Sequence, residues 1–208
     1  MLISPNEAGM SQSTDAIQRG DLVAFPTDTF FALGANGLDA SAVDAVFTTK
    51  GRNPGTPVPL LINDVEMADE LASRFPEPLR ELAGKFWPGA LTVVLPAAAA
   101  VPEVVTAGSR TVGLRVPDNE VARELIDRSG VPITGTSCNL TGREPIKEAA
   151  VVDQVFNDQI SFCIDSPCGD STAPSTVIKY EKNQIVVLRL GDISVESLQK
   201  IVGNIVVN

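Results

Sequence analysis

The chain contains no histidine in 208 residues. That absence removes Ser-His-Asp and Cys-His catalysis, imidazole general bases and histidine metal ligands together. Cysteine is scarce, with Cys138, Cys163 and Cys168 the only three. Their separations match no zinc pattern, and the odd count suits free thiols in a reducing cytoplasm. Aromatic residues are thin, with one tryptophan and one tyrosine. No apolar run approaches the roughly 20 residues needed to span a bilayer, so no membrane segment is expected. The opening stretch, residues 1–20, is polar and carries acids, unlike a secretory signal. Cations are outnumbered, 16 Lys and Arg against 26 Asp and Glu, for a net charge of −10. Broad binding to nucleic acid depends on neutralising phosphates, so this balance argues against it. A local basic pocket for compact anions is still allowed.

What is present describes a globular protein. Hydrophobic residues make up 44% and charged residues 20%, a mixture that folds and does not stay disordered. The length suits one domain over 1–208 with a sizeable core. Periodicity predicts strands at 22–25, 58–62, 91–95, 111–116, 131–134, 160–164, 176–180 and 185–190. Helices are expected to end at Arg19 and to span 41–49, 78–86, 146–156 and 194–202. Two more are expected to be capped by Asp64 and Asp118. Strands and helices alternate until the last strands follow one another. That order predicts an α/β fold on a mixed sheet, not a strictly parallel one.

Chemistry-bearing residues gather at the ends of these elements. The run Phe25-Pro26-Thr27-Asp28-Thr29-Phe30-Phe31-Ala32-Leu33-Gly34 turns from an apolar strand into a hydroxyl-rich loop. Lys50-Gly51-Arg52 follows a helix, where cations also complement the macrodipole. Arg115 and Arg189 stand near the carboxyl ends of strands, a common place for ligand capture in open α/β sheets. Ser137-Cys138-Asn139-Leu140-Thr141-Gly142 and Ser175-Thr176-Val177 are two more hydroxyl-rich junctions. Each hydroxyl taken singly also suits turn capping. Asp28 suits a turn cap, a hydroxyl-orienting group or a neighbour of a metal. Neither a Walker A loop nor a dinucleotide fingerprint is present. Spacing alone therefore stops at an anion- or nucleotide-binding α/β protein.

Taken together, these pieces resemble the threonylcarbamoyl-adenylate synthase family, the YrdC-type enzymes of tRNA modification. The matching order is Pro26-Thr27-Asp28-Thr29 with Leu33-Gly34, Lys50-Gly51-Arg52, Phe86-Trp87-Pro88-Gly89 with Leu91-Thr92, the strand 111–117, Ser137-x-Asn139-x-x-Gly142, Ser175-Thr176-Val177 and Arg189-x-Gly191. The resemblance covers about 15–200, in the short form without the family's extra carboxy-terminal domain. It implies a YrdC-like fold, a twisted mixed β-sheet flanked by helices around a concave, positively charged cleft. It also implies a cytoplasmic nucleotidyltransferase joining L-threonine, bicarbonate and ATP into threonylcarbamoyl-AMP and pyrophosphate. A downstream tRNA threonylcarbamoyl transferase complex then modifies adenosine at position 37 of tRNA.

By the same resemblance, Thr27, Arg115 and Ser175 hold threonine, with Arg115 on its carboxylate. Lys50, Arg52, Thr111, Ser137, Asn139 and Arg189 hold ATP. Mg²⁺ is expected on the triphosphate, with no protein metal site. No acid or base is assigned, and Lys50 and Arg52 position the reacting groups from solvent-accessible places. The chain departs from the family pattern at Phe31, Ala32, Cys138 and Pro174, and around Asp118-Asn119-Glu120. Two alternatives use the same fold. One is an RNA-binding or ribosome-maturation module, for which a weak RNA or tRNA contact suffices; the other is a paralogue making a different carbamoyl adenylate.

Overall fold

Polar caps start most of the helices in the computed structural model, which describes residues 1–203 and 205–207. Asn6, Asp39, Asp64, Asn119 and Ser194 each accept a backbone N–H in the first turn of a helix. Those helices are α1 (Glu7–Gln18), α2 (Ala40–Lys50), α3 (Val65–Leu71), α6 (Glu120–Ser129) and α8 (Val195–Val202). The remaining three are α4 (Glu77–Phe86), α5 (Glu103–Thr106) and α7 (Ala149–Phe156). Helices α2 and α6 stop at Gly51 and Gly130, whose φ of 58° and 66° suits a residue without a Cβ. The expectation that Asp118 caps α6 is corrected: Asn119 does so. The Asp118 amide instead donates to Asp28 Oδ1 at 3.2 Å.

Among the described residues, twelve strands form two sheets. One has the order β1 (Leu2–Ile3), β9 (Phe162–Ile164), β2 (Val23–Phe25), β3 (Ala32–Gly34), β8 (Thr136–Ser137). The other runs β12 (Ile205–Val207), β11 (Gln184–Arg189), β10 (Thr176–Glu181), β5 (Leu91–Pro96), β6 (Thr111–Arg115), β4 (Leu60–Leu61), β7 (Ile133–Thr134). Parallel pairs such as β10 with β5 adjoin antiparallel ones such as β5 with β6, so the predicted mixed α/β architecture holds. Helix α7 begins three residues later than its apolar pattern suggests. The Ile146 carbonyl is taken by the Phe31 amide at 2.9 Å, which fixes that stretch as loop. Strands β1, β3, β8 and β12 and the short helix α5 escaped the sequence reading, which closed the chain on the helix 194–202; two to four residues carry too little pattern.

Both sheets bury apolar faces. Leu79 and Leu82 of α4 and Leu198 of α8 pack on Leu91, Val93, Leu114 and Ile178 of the larger sheet. Phe31, Leu33, Val152 and Phe156 fill a second cluster, and Ile17, Phe25, Leu125 and Ile126 a third. Cys138 and Cys163 lie in that second cluster with Cys168 packed on it, and all three are free thiols. No helix among the described residues is long and apolar enough to cross a membrane.

The chain passes from one sheet to the other at Gly135, between β7 and β8. Its amide donates to Pro59 O at 2.7 Å, and a Cβ there would lie 2.7 Å from Leu61 Cγ. Only a residue without a side chain lets the sheets approach this closely without displacing Leu61. Thr134 clamps the junction by donating to Leu33 O at 2.9 Å and accepting from the Ala35 amide at 3.0 Å. A cleft opens beside this junction.

Candidate functional site

The cleft holds a cavity of about 300 Å³. Six of the nine sequence-assigned residues line it: Thr27, Arg52, Arg115, Ser137, Ser175 and Arg189. Segments separated by more than a hundred residues thus converge, as the resemblance implies. Lys50 and Asn139 lie behind its wall, and Thr111 is outside it. Thr111 begins β6 four residues before Arg115, roughly 13 Å along the strand. Its hydroxyl lies 3.0 Å from Ser109 Oγ.

The loop after β2 is folded by the Thr27 hydroxyl. It donates to Phe30 O at 2.8 Å and accepts from the amides of Thr29 at 3.1 Å and Phe30 at 3.3 Å. A hydroxyl has one proton and two lone pairs, so these contacts and the Thr29 hydroxyl share its bonding capacity within the loop. Thr29, which the sequence reading left unassigned, hydrogen-bonds Thr27 Oγ1 at 3.0 Å and accepts from Arg115 Nη1 at 3.3 Å.

Arg115 is held on three sides. Nε donates to Gly89 O at 2.9 Å, Nη1 to Thr29, and Nη2 to Asp28 Oδ1 at 2.5 Å. The two side chains of this ion pair are only 7% and 15% exposed. Asp28 is therefore the counter-charge of Arg115, a partnership no local spacing announces. Guanidinium has five N–H groups; three are used, and one remains on each terminal nitrogen.

Lys50 requires a correction. It is expected at the surface but is only 3% exposed. Its ammonium donates to the carbonyls of Ser137 and, at 2.6 Å, Asn139. Burial pushes its pKa down to about 8, with the nearby Arg52 charge a lesser contribution in the same direction and Cys138 opposing. Lys50 thus anchors the 137–139 loop from behind. Asn139 is committed similarly, taking the Ser137 hydroxyl on Oδ1 at 2.5 Å and donating Nδ2 to Arg143 O at 2.6 Å. Arg52 reaches the cavity through Thr136 Oγ1 at 3.2 Å and Pro57 O at 2.8 Å. Its Nε is buried without a partner.

On the opposite wall Arg189 donates to Ser175 O at 2.8 Å and to Ser175 Oγ at 3.0 Å. Burial, and then the charge of Arg115, lower its pKa. Three guanidinium groups around one cavity repel one another and favour an anionic ligand. Thr92 of β5, quoted as motif but given no role, also lines the cavity and meets Ser175 Oγ at 2.8 Å. Among the described residues, no three His, Cys, Asp or Glu side chains gather as metal ligands. A broader depression of about 470 Å³ between Gly20–Leu22 and Asn157–Ser161 contains none of these groups.

Comparison with known proteins bears on the family and the fold. The Sua5/YciO/YrdC family model, described as telomere recombination, matches residues 15–191. The threonylcarbamoyl-AMP synthase of Pyrococcus abyssi is 40% identical over 189 residues, covering 91% of this chain and 56% of that protein. The Bacillus subtilis protein of the same name is 34% identical, covering 98% of this chain and 59% of its own length. The chain therefore spans somewhat over half the length of these two relatives. The Marinobacter nauticus threonylcarbamoyl-AMP synthase is 30% identical, covering 87% of this chain and 96% of that one. A crystal structure of P. abyssi Sua5 complexed with L-threonine superposes with a TM-score of 0.96 at 37% identity, over 100% of this chain and 62% of that one. The E. coli YciO crystal structure shares the fold, with a TM-score of 0.83 at 24% identity over 95% of this chain and 98% of that one. With the family model matching most of its length and these relatives aligned along it, the chain belongs to the Sua5/YciO/YrdC family.

Proposed function

We propose that residues 1–208 act as one domain that makes threonylcarbamoyl-AMP and pyrophosphate from L-threonine, bicarbonate and ATP. The observation that carries this reading is the cavity ringed by Arg52, Arg115 and Arg189 and by the hydroxyls of Thr29, Thr92, Ser137 and Ser175. An amino-acid carboxylate matches the two unused N–H groups of Arg115, a bidentate geometry that guanidinium favours. Arg52, Ser137 and Arg189 face the nucleotide phosphates. Lys50 and Asn139 shape the loop that carries Ser137, and Thr27 shapes the loop that carries Thr29. Thr111 contributes only if the nucleotide extends along β6.

The reaction needs positioning and charge compensation more than a side-chain nucleophile. The threonine amine adds to the carbon of bicarbonate and water leaves, giving a carbamate. A carbamate oxygen attacks the α-phosphorus, and the bond to the β-phosphate bridging oxygen breaks with pyrophosphate leaving. The arginines spread the charge that develops on the phosphate oxygens. Asp28, the carboxylate beside the cleft, is already paired with Arg115, so the chain fits Mg²⁺ only as an ion carried by phosphate oxygens and water. The adenylate then passes to a tRNA-modifying transferase in the cytoplasm.

Mass detection of threonylcarbamoyl-AMP from purified protein, ATP, threonine and bicarbonate tests the reading. Product should appear with equimolar pyrophosphate and depend on each substrate. Absence of adenylate alongside salt-sensitive nanomolar RNA affinity would support the RNA-binding alternative. Turnover with another amino acid in place of threonine would support the paralogue.

A further inference from the structure

The Thr92–Ser175 contact sits where the larger sheet meets the cleft. Parallel pairing of β5 with β10 sets Thr92 opposite Val177 and brings it beneath Ser175. Both residues are buried, 4% and 6% exposed, yet both line the cavity. Two close approaches fix this arrangement. A Cβ at Gly191 would lie 2.6 Å from the Ser175 carbonyl carbon, so glycine there lets the end of β11 lie on Ser175. A Cβ at Gly113 would lie 3.2 Å from Thr92 Cγ2, so glycine leaves Thr92 its present rotamer.

The proton count decides what this pair offers. Arg189 Nη2 is a donor only, so its 3.0 Å contact occupies a lone pair on Ser175 Oγ. The two hydroxyls carry two protons, and their mutual 2.8 Å bond uses one. The other proton has no acceptor among the described residues, and both hydroxyls line the cavity. This holds whichever hydroxyl donates in the mutual bond. The Arg189 charge favours one arrangement, because a hydroxyl receiving a cationic donor becomes a better donor itself. Ser175 then donates to Thr92, and Thr92 directs the remaining proton of the pair toward the ligand.

We propose that Thr92, held by Ser175 and Arg189 in a chain of hydrogen bonds, is the hydroxyl that donates to the amino-acid substrate, so that this point of the cleft recognises an unprotonated oxygen. The proposal rests on the reading of Ser175 as a threonine contact. A ligand presenting a donor there meets the Thr92 proton head-on and is disfavoured.

Thr92→Val keeps the shape and removes the hydroxyl; Thr92→Ser keeps the hydroxyl. The valine variant should raise the threonine KM about tenfold, leave the ATP KM within about twofold and keep the wild-type Tm. Thr92→Ser should return the threonine KM to within about threefold of wild type. Equal rises in both KM values, or no rescue by serine, would overturn the proposal in favour of a packing role. Neutron diffraction from the ligand-free protein gives an independent reading. One proton should lie between the two hydroxyl oxygens and the second should point into the cavity. A second proton bound to a protein acceptor would overturn the proposal. If the protons lie as expected but the wild type neither binds threonine nor turns it over, the hydroxyl pair stands and the functional reading falls.

Discussion

Lys50 shows how a residue can shape a cavity without lining it, by holding the 137–139 loop from its buried side. Its charge is retained at neutral pH because a pKa of about 8 still leaves most of the amine protonated. The folded pKa lies below the ordinary lysine value, so between about pH 8 and 10.5 the unfolded chain binds more protons than the folded one. Stability from this group therefore increases as pH rises through that window. Urea denaturation of the wild type and Lys50→Met should converge or diverge accordingly: the wild type gains about 2–3 kcal/mol relative to the variant between pH 7.5 and 10.5. Asp28 offers a second test at this scale. Removing one partner of a buried ion pair leaves the other uncompensated and free to turn. Asp28→Ala should raise the threonine KM at least tenfold while the ATP KM moves less than threefold, and Asp28→Asn should fall between. Steady-state kinetics with each substrate limiting checks both.

At the scale of elements, the cleft depends on loops held by single side chains. Lys147 donates to the carbonyls of Gly169, at 3.0 Å, and Ser171, and lies 5.5 Å from the Phe30 ring centre. The Gly169 amide donates to Thr27 O at 3.0 Å. The segment 165–175 is thereby laid against the loop that carries Thr27 and Thr29. Lys147→Ala should increase hydrogen exchange in 165–175 and in 27–31, with the strands of the larger sheet unchanged. Mass spectrometry of peptides from those segments reads this directly. Longer elements were legible beforehand: α2, α4, β5, β6, β10 and β11 lie within two residues of their predicted bounds, because each carries several periods of apolar pattern. Strands β1, β3 and β8 were not, since partners distant in sequence, such as Cys163 for Leu2 and Ser137 for Ala32, create them.

The whole molecule combines a net charge of −10 with three arginines turned toward one cavity. Long-range repulsion should keep polyanions off the surface, while a compact anion reaches the guanidinium groups at short range. Affinity for generic single- or double-stranded RNA at 0.15 M salt should accordingly be weaker than micromolar in a filter-binding titration. Tight, salt-sensitive binding would show that the cleft's field extends well beyond its rim.

The order of motifs along the chain was enough to name the family, the mixed α/β class and six residues that line the cavity. Element ends carry distinctive residue types, and those types follow from local turn chemistry and strand termination. Which hydroxyls line the cavity, that Lys50 is buried, and that Asp28 answers Arg115 were decided only when distant segments packed together. Hydrogen-bond saturation and desolvation belong to a side chain's three-dimensional neighbours, and for these residues those neighbours lie as far as 90 positions away.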